Sequence, residues 1–378
     1  MTNREEEILK LIGRNPSISQ NELADMLGIT RSSVGVHITN LIKKGYILGK
    51  GYILKQEDYV CVLGGSNMDI VGFPSGKLNV HDSNPGKVKI SLGGVGRNIA
   101  ENLVHLGIET KLISALGDDM YGKKILDHAN AIGLDMKSSM ILSQRPTSTY
   151  LAILDEEGDM ATAISQMDIF DELSIDFIQS QRQVIEHSKV CVIDTNMPES
   201  VIGYVLDNFK NTDFFLDTVS TTKALKIKGH IGSFHTIKPN KMEAELLSGV
   251  KIFGKGDLLK TSEYFLNQGV SRVFITLGEE GVFFNDGRTN KLIAAPKVKP
   301  VNATGAGDAF VAALAYCHFN HMETEASARF AMGAAVMALS YEETINPNIS
   351  KQRINQIMKE TGLCSTNTWR YIRMSKKH

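Results

Sequence analysis

The chain has 378 residues, of which 42% are hydrophobic and 22% charged, and its formal net charge at pH 7 is −1. This composition excludes a disordered chain and a polycation, and the length predicts two or three domains. No signal peptide or apolar run of about 20 residues is evident, which predicts a cytoplasmic protein. The cysteines lack CxxC spacing, which predicts reduced thiols and neither disulfides nor a zinc site. They are Cys61, Cys191, Cys317 and Cys364.

The N-terminal 55 residues predict three short helices and a hairpin. Apolar spacing predicts a helix over 3–13, and Ser19, followed three residues later by a glutamate, predicts the capped start of a second helix. Gly28 predicts a turn before a third helix over 31–44. The glycine-containing segment 45–54 predicts two short strands. This order resembles a winged helix-turn-helix DNA-binding domain, here residues 1–55.

Charge supports an anionic partner for this domain. It carries eight Lys and Arg against five Asp and Glu, a balance of +3 that leaves −4 for the rest of the chain. The third helix is expected to enter the major groove of duplex DNA. The expected DNA contacts are Arg31, Ser32, Ser33, His37, Lys43, Lys44 and Lys50. A docking or oligomerisation module is the alternative.

Residues 58–362 alternate between apolar strands and amphipathic helices, which predicts a mostly parallel α/β sheet covered by helices. The predicted strands are 59–64, 110–115, 190–194, 213–217 and 272–277. The predicted helices are 95–107, 120–133, 199–209, 240–248, 256–268, 305–318 and 322–340. Residues 148–165 predict a separate antiparallel flap, and residues 363–378 a basic, frayed tail.

The segment 302–310, Asn-Ala-Thr-Gly-Ala-Gly-Asp-Ala-Phe, precedes an apolar helix. Its small residues and the helix N-terminus favour an anion such as a phosphoryl group. A carboxylate at Asp308 would repel that anion, so its presence indicates another task, namely accepting a proton from a substrate hydroxyl. An ordinary helix cap is the alternative.

Two other glycine-containing segments resemble nucleotide loops but do not match them. Residues 91–100 lack the final glycine of GxGxxG, and we interpret them as a loop that binds a polyhydroxylated ligand through backbone groups and Asn98. Residues 117–124 approach the Walker A pattern but lack its Ser or Thr, which predicts a strand-to-helix turn.

With these motifs in order, the chain from 59 to 362 resembles the ribokinase-like PfkB carbohydrate and nucleoside kinases. The resemblance implies a ribokinase-like fold with a small β flap, MgATP as phosphoryl donor, and a substrate hydroxyl deprotonated by Asp308. The implied anion hole is Gly305, Ala306, Gly307 and Asp308. The implied substrate ligands are Asn67, Asp69, Gly93, Gly94, Arg97 and Asn98. The implied ATP and magnesium residues, none a direct metal ligand, are Asn240, Glu243, Thr276, Gly278 and Thr304.

Three details resemble the pseudouridine kinase subgroup: Arg97, the segment Asp217-Thr-Val-Ser220 and the fused helix-turn-helix. They imply a ribonucleoside, pseudouridine first, phosphorylated at its 5′-hydroxyl. The DNA-binding domain, joined to a small-molecule site by a short linker, predicts a homodimer that regulates its own operon. Asn302 stands where the family usually has an aspartate of a monovalent-cation site, which puts K⁺ activation in doubt. The alternatives are a hexose or ribose kinase and a ligand-sensing transcription regulator.

Overall fold

The computed structural model describes residues 2–16, 18–47, 58–79 and 81–364. The chain divides into two compact units, Met1–Glu57 and Asp58–His378. Most of the predicted hairpin, including Lys50, and the basic tail from residue 365 lie outside the described residues. Within the described part of the chain, no helix is long and apolar enough to cross a bilayer.

The described residues of the N-terminal unit form three helices: α1 (Asn3–Arg14), α2 (Gln20–Leu27) and α3 (Arg31–Lys43). Ser19 accepts the Glu22 backbone N–H at 3.1 Å, so the predicted capping box of α2 is confirmed. The core residues are Ile8, Leu23, Ala24, Val34, Ile38 and Leu41.

The larger unit is an α/β domain. Its strands are β1 (Val60–Leu63), β2 (Asn67–Pro74), β3 (Gly86–Gly93), β4 (Thr110–Ile113), β5 (Ala115–Gly117), β6 (Met140–Leu142), β7 (Thr149–Leu154), β8 (Met160–Gln166), β9 (Val190–Asp194), β10 (Asp213–Asp217), β11 (Thr236–Ile237), β12 (Arg272–Thr276), β13 (Val282–Asn285) and β14 (Asn290–Ile293). Its α-helices are α4 (Val95–His105), α5 (Met120–Ile132), α6 (Ile175–Ser180), α7 (Arg182–Glu186), α8 (Glu199–Asn208), α9 (Thr221–Ala224), α10 (Lys241–Ser248), α11 (Lys255–Gln268), α12 (Ala306–Phe319), α13 (Thr324–Leu339) and α14 (Lys351–Glu360).

The main sheet has eight strands in the order β14-β13-β12-β11-β10-β9-β1-β4. Strands β4 to β12 of this order run parallel, and β13 and β14 are antiparallel. Both faces are buried, as the strand β1 illustrates. Val60 and Val62 belong to the core on one face, and Cys61 and Leu63 to the core on the other. This burial explains the continuous apolar runs that the sequence shows.

A second sheet of four strands, β3-β2-β7-β8, forms the flap. The predicted hairpin 148–165 corresponds to β7 and β8, while β2 and β3 were not predicted. Their register aligns Ile90, Ile70, Leu151 and Ile164 in one row. Asp69 lies on the opposite face because successive residues of a strand alternate sides.

Candidate active site

The candidate site lies at the carboxyl ends of the parallel strands. Gly64 and Gly65 follow β1, Asp194 and Asp217 end β9 and β10, and Lys238 follows β11. The chain passes from β1 to β4 on one side and from β9 to β10 on the other, so the strand order reverses between β1 and β9. Ligands of open α/β sheets bind at such a switch point.

The N-terminus of α12 supplies the predicted anion site. Gly305 has φ 83°, and a Cβ there would lie 2.1 Å from Thr344 O, so only glycine fits. The next residues, Ala306 and Gly307, begin a 14-residue helix whose first N–H groups have no intrahelical acceptor. These N–H groups and the helix dipole favour a bound anion.

Asp308 lies in the first turn of α12 and contacts the glycine-rich loop. Asn98 Nδ2 donates to Asp308 Oδ2 at 2.7 Å, across 210 residues of sequence. Burial, followed by the charge of Asp217, raises the pKa of Asp308 to about 7, although Asn98 and Lys238 oppose that shift. A carboxylate that titrates near neutral pH is suited to general-base catalysis.

Lys238 is a site residue that the sequence reasoning did not select. Lys238 Nζ lies 3.5 Å from Asp217 Oδ2. A Cβ on Gly307 would lie 3.3 Å from the same Nζ. Burial disfavours its charge, but the carboxylates of Asp217, Glu243 and Asp308 outweigh burial and raise the pKa of Lys238. A cation therefore faces the anion site. The sequence could have indicated Lys238, because it is the first residue of the motif 238–243 from which Asn240 and Glu243 were selected.

Asn240 and Glu243 have a structural role that the sequence motif did not reveal. Asn240 caps α10 by accepting the Glu243 N–H at 2.9 Å, and Glu243 Oε2 accepts the Asn240 N–H at 2.8 Å. Thr218 Oγ1 also donates to Glu243 Oε2, at 2.6 Å. Thr276 N donates to Pro239 O at 3.0 Å and so brings the end of β12 beside this motif.

Asp69 and Asn67 lie together at the start of β2. Asn67 Nδ2 donates to Asp69 Oδ1 at 2.6 Å. A Cβ on Gly93 would lie 2.3 Å from Asp69 Oδ2, which explains the glycine at that position. Burial raises the pKa of Asp69, although the hydrogen bond from Asn67 opposes the shift.

The other glycines of this loop allow two backbone segments to cross closely. Gly94 has φ 98°, and a Cβ there would lie 2.4 Å from Gly65 O. A Cβ on Gly96 would lie 2.6 Å from Gly64 Cα. Asp194, fully buried, accepts the Gly65 N–H at 2.8 Å and fixes the crossing segment. Gly94 and Gly96 are therefore required for packing, whatever else they contact.

Arg97 lies behind Asn98. It is 4% exposed, and it donates to Gly93 O and Leu92 O, both at 3.1 Å, and to Asn98 Oδ1 at 2.6 Å. It also forms a buried ion pair with Glu101. The sequence predicted that Arg97 contacts substrate, but its donors are engaged within the protein. It orients the Asn98 amide, leaving Nδ2 toward Asp308.

Thr304 and Gly278, both predicted near ATP, are exposed at loop ends. Asn302 Oδ1 accepts the Thr304 N–H at 2.9 Å, and Asn302 Nδ2 donates to Glu342 O at 3.0 Å. The amide of Asn302 thus holds the loop that leads into α12. Gly278 has φ 59° and forms the turn after β12.

A cavity of about 570 Å³ opens between β8 of the flap and the loops after β9 and β10. Asn196 Oδ1 accepts a hydrogen bond from the Lys223 ammonium at this cavity. Ser165 of β8 lines this cavity. The register pairs Asp69 with Tyr150 and Tyr150 with Ser165, so Ser165 and Asp69 lie on the same face of the flap. The polar lining residues are Ser165, Gln166, Asp168, Asp171, Asn196, Lys223 and Lys226.

The Walker-like segment forms the start of α5. Asp119 caps this helix, accepting the Gly122 N–H at 2.8 Å and the Thr147 N–H at 2.7 Å. Lys123 is exposed. The arrangement agrees with the strand-to-helix turn predicted for this segment.

In the N-terminal unit, the exposed face of α3 is formed by Ser32, Val36, Thr39 and Lys43. The structure differs from the sequence prediction at two residues. His37 is half-buried, with Nδ1 enclosed and without a hydrogen-bond partner in the described residues. Lys44 Nζ binds both carboxylate oxygens of buried Glu5, at 2.8 and 2.9 Å, so its charge is engaged within the unit. The exposed Val36 and Thr39 were not predicted.

Comparisons with known proteins agree with both units. Residues 57–351 match the model of the pfkB family carbohydrate kinases, and residues 1–47 match a winged helix-turn-helix DNA-binding model. The pseudouridine kinase of Escherichia coli K12 is 40% identical over 298 residues, which cover 79% of this chain and 95% of that protein. The uncharacterized sugar kinase YeiI of the same organism is 37% identical over 93% of this chain and 97% of its own length.

A solved structure of a candidate sugar kinase from Clostridium perfringens has a TM-score of 0.73 and 43% identity, covering 82% of this chain and 96% of that chain. The ribokinase of Thermotoga maritima shares the fold, with a TM-score of 0.71 at 21% identity. The predicted ribokinase-like fold and family are confirmed. The chain belongs to the pfkB family of carbohydrate kinases and carries an N-terminal winged helix-turn-helix domain.

Proposed function

We propose that this kinase transfers the γ-phosphoryl group of MgATP to the 5′-hydroxyl of a ribonucleoside, with pseudouridine as the preferred substrate. The observation that carries the proposal is the contact between Asp308 and Asn98 at the N-terminus of α12. It joins a base that titrates near neutral pH to an anion site. The 40% identity to a pseudouridine kinase supports the choice of nucleoside.

In the proposed reaction, Asp69 and Asn98 bind ring hydroxyls and direct the 5′-oxygen toward Asp308. Asp308 accepts the proton of that hydroxyl as the oxygen attacks the γ-phosphorus, and ADP leaves as the bond between the γ-phosphorus and the β,γ-bridging oxygen breaks. The backbone N–H groups of 305–308 and the Lys238 ammonium stabilise negative charge on the transferred group. Such fixed donors usually make the largest contribution to catalysis of this kind.

Asn240 and Glu243 are the residues that would hold magnesium, through bound water. Oε2 of Glu243 accepts two hydrogen bonds, whereas Oε1 has no hydrogen-bond partner in the described part of the chain. Oxygen donors of this kind suit Mg²⁺, which keeps several waters in kinase sites. When bound, the ion neutralises phosphate charge. The nucleotide would contact Thr276 at the end of β12, Gly278 in the turn that follows and Thr304 in the loop before α12.

The cavity beside β8 supports a nucleoside rather than a free sugar. A ribose bound at Asp69 and Asn98 would leave the cavity unfilled, whereas a base attached to that ribose would extend into it. The Asn196 amide and the two lysines at 223 and 226 offer hydrogen-bond donors for the carbonyl oxygens of a uracil-type base. Closure of the flap over the base would exclude water and limit hydrolysis of ATP.

The test measures kcat/KM for pseudouridine, uridine, ribose and fructose with the full-length protein and MgATP. We expect pseudouridine to give the highest value. Lys223→Met should lower kcat/KM for pseudouridine at least about tenfold, as for loss of one charged hydrogen bond, and change the value for ribose little. Faster turnover of a free sugar would support a ribose or hexose kinase. No turnover of any substrate would support a ligand-sensing regulator.

We infer a second function, binding of duplex DNA, from the exposed face of α3. Its four residues follow helical spacing and combine hydroxyl groups, a lysine and the apolar Val36, which is 60% exposed. Hydroxyls and apolar groups can contact base edges, and lysine and Arg31 can contact phosphates. The winged helix-turn-helix match over residues 1–47 supports the same function.

This function is tested by electrophoretic mobility shift on the promoter region of the protein's own operon over a salt series. Thr39→Glu should abolish the specific complex, and Lys43→Ala should weaken binding to all sequences and reduce the salt dependence by about one unit of slope. Arg4→Ala, on α1, is the control, because Arg4 pairs with Glu7 on its own helix. A Thr39→Glu complex as tight as that of the wild type would leave residues 1–55 as a docking module.

A homodimer would give the DNA-binding function its specificity, since two recognition helices read half-sites about one helical turn apart. We propose that a second copy covers the apolar row of the flap, where Ile164 is 65% and Ile90 45% exposed. Ile164→Lys should then yield a monomer in analytical ultracentrifugation. If substrate changes DNA affinity, DNA must change substrate affinity by the same factor. A monomeric wild type would contradict the proposal.

A further inference from the structure

Three side chains capable of binding a metal meet at the opposite edge of the main sheet from the candidate active site. Asp213 is the first residue of β10, His235 immediately precedes β11, and His318 lies near the C-terminal end of α12. One donor atom from each lies within 4.8 Å of the other two. His318 is ten residues beyond Asp308 on α12, about 15 Å along the helix axis, so this cluster is separate from the proposed phosphoryl-transfer site.

The hydrogen bond of His235 leaves its other ring nitrogen available to a metal. His235 Nδ1 contacts Thr236 Oγ1 at 2.8 Å. With the proton on Nδ1 donated to that hydroxyl, Nε2 carries the lone pair that a metal needs.

The rings are held by packing. Phe215 stacks on His235 with ring centroids 5.7 Å apart, and the His235 and His318 rings lie 4.4 Å apart. Backbone hydrogen bonds fix His235 between β10 and β12: its N–H donates to Phe214 O at 2.8 Å, and its carbonyl accepts from Arg272 N at 2.9 Å. Half-buried His318 and exposed Asp213 have room to adjust.

We propose that Asp213, His235 and His318 bind a divalent transition-metal ion, with Zn²⁺ as the ion that two imidazoles and one carboxylate suit best. Ligand atoms about 2.1 Å from a tetrahedral zinc lie about 3.4 Å from one another. Separations between the donor atoms, which are at most 4.8 Å, therefore have to shorten by up to about 1.4 Å, and movement of the Asp213 and His318 side chains can supply this. Water would complete the coordination, and the ion would link β10, β11 and α12.

The ion would replace the existing bond between His318 Nε2 and Asp213 Oδ2, which is 2.8 Å long. The nearby cation Arg272 opposes metal binding, and the negative charge of Asp213 offsets it. The alternative is that the three residues form only an ion pair and a ring stack that fasten α12 to the sheet. The two cases differ in whether a metal stabilises the fold.

The test uses full-length protein stripped with EDTA and titrated with Co²⁺ in the absence of ATP, with absorbance and equilibrium dialysis as readouts. We expect one tightly bound Co²⁺ per chain that Zn²⁺ displaces. His235→Gln, His318→Gln and Asp213→Asn should each weaken binding at least about tenfold. His187→Gln, an exposed histidine outside the cluster, is the matched control and should bind as the wild type does.

Zn²⁺ should also raise the thermal midpoint of the wild type and of His187→Gln, but not that of His318→Gln, because a ligand stabilises only the state that binds it. Midpoints in EDTA and kinase activity with MgATP report whether each variant is folded. Three results would overturn the proposal: no Co²⁺ binding, binding unaffected by the three substitutions, or a thiolate-to-cobalt absorption band that assigns the ion to a cysteine.

Discussion

Replacement of Asp308 by asparagine should stabilise the ligand-free protein while it abolishes most of the activity. The raised pKa means that ionising Asp308 opposes folding. Its pKa rises from 3.8 to about 7 on folding, and each pKa unit corresponds to about 1.36 kcal/mol, so the cost reaches about 4 kcal/mol above pH 7. Asparagine is nearly isosteric, and its amide oxygen can still accept the hydrogen bond from Asn98.

The sign of the pH dependence follows from linkage. Between pH 3.8 and about 7 the folded state holds a proton at Asp308 that the unfolded state has lost. Stability from this group is therefore fully present below pH 3.8 and is lost as the pH rises through about 7. The difference in free energy of unfolding between Asp308→Asn and wild type should be near zero at low pH and should reach its plateau above pH 7.

The assay is chemical denaturation of ligand-free protein, followed by circular dichroism at a series of pH values, with the transition of the larger unit compared between variants. Asp119→Asn is the matched control. Burial opposes ionisation of Asp119, but hydrogen bonds from Gly122 and Thr147 outweigh burial and lower its pKa. Asp119→Asn should therefore destabilise the protein at neutral pH. Destabilisation of Asp308→Asn above pH 7 would refute the reasoning.

Three further predictions concern catalysis by Asp308, the exposed Lys123 and the buried Glu5. Asp308→Asn should reduce kcat by about 10²–10⁴ with KM little changed, and kcat/KM of the wild type should fall about tenfold per pH unit below pH 7, as steady-state kinetics would measure. Lys123→Ala should change KM for ATP by less than about threefold, because a change below about 1 kcal/mol is expected for a residue outside the phosphate site. An increase in KM of several hundredfold would mean that the phosphate site includes Lys123. Glu5→Gln should lower the thermal midpoint of the N-terminal unit, since Lys44 and Thr2 lower the pKa of Glu5 to about 2. That loss should shrink as the pH falls from 4.5 toward 2, and a pH-independent loss would contradict an electrostatic role.

The sequence was sufficient to predict the strands and helices that carry a strong local signal. Within residues 58–362, the five strands and seven helices predicted from the alternating pattern all occur, with ends that differ by a few residues. The strands β2 and β3 were missed, although β2 contains Asp69. Their residues are half-exposed and mix apolar with polar side chains, so no regular period separates them from a loop. Such strands depend on cross-strand pairing, which a single sequence does not display.

The candidate site shows the same division between local and distant signals. The anion site beside Asp308 is formed by the N-terminus of the helix that follows in the sequence. Its position could therefore be predicted from the local sequence. The roles of Lys238 and Arg97 depend on partners that are distant in sequence or hidden in the fold. Asn240 and Glu243 combine two roles, since a capping box and a site motif use the same residues.

Arg97 offers a test of whether orientation of Asn98 matters to catalysis. Arg97→Lys keeps the positive charge that Glu101 needs, so the buried pair survives, but one ammonium cannot replace the hydrogen bonds to Leu92 O, Gly93 O and Asn98 Oδ1. The Asn98 amide then rotates, and Asp308 loses a donor that lowers its pKa. The acidic limb of the pH profile of kcat/KM should move above pH 7. At neutral pH, kcat/KM should fall about tenfold for each unit by which the pKa of Asp308 rises, while KM for ATP stays the same. Lower activity with an unshifted pH profile would mean that Arg97 acts only through stability.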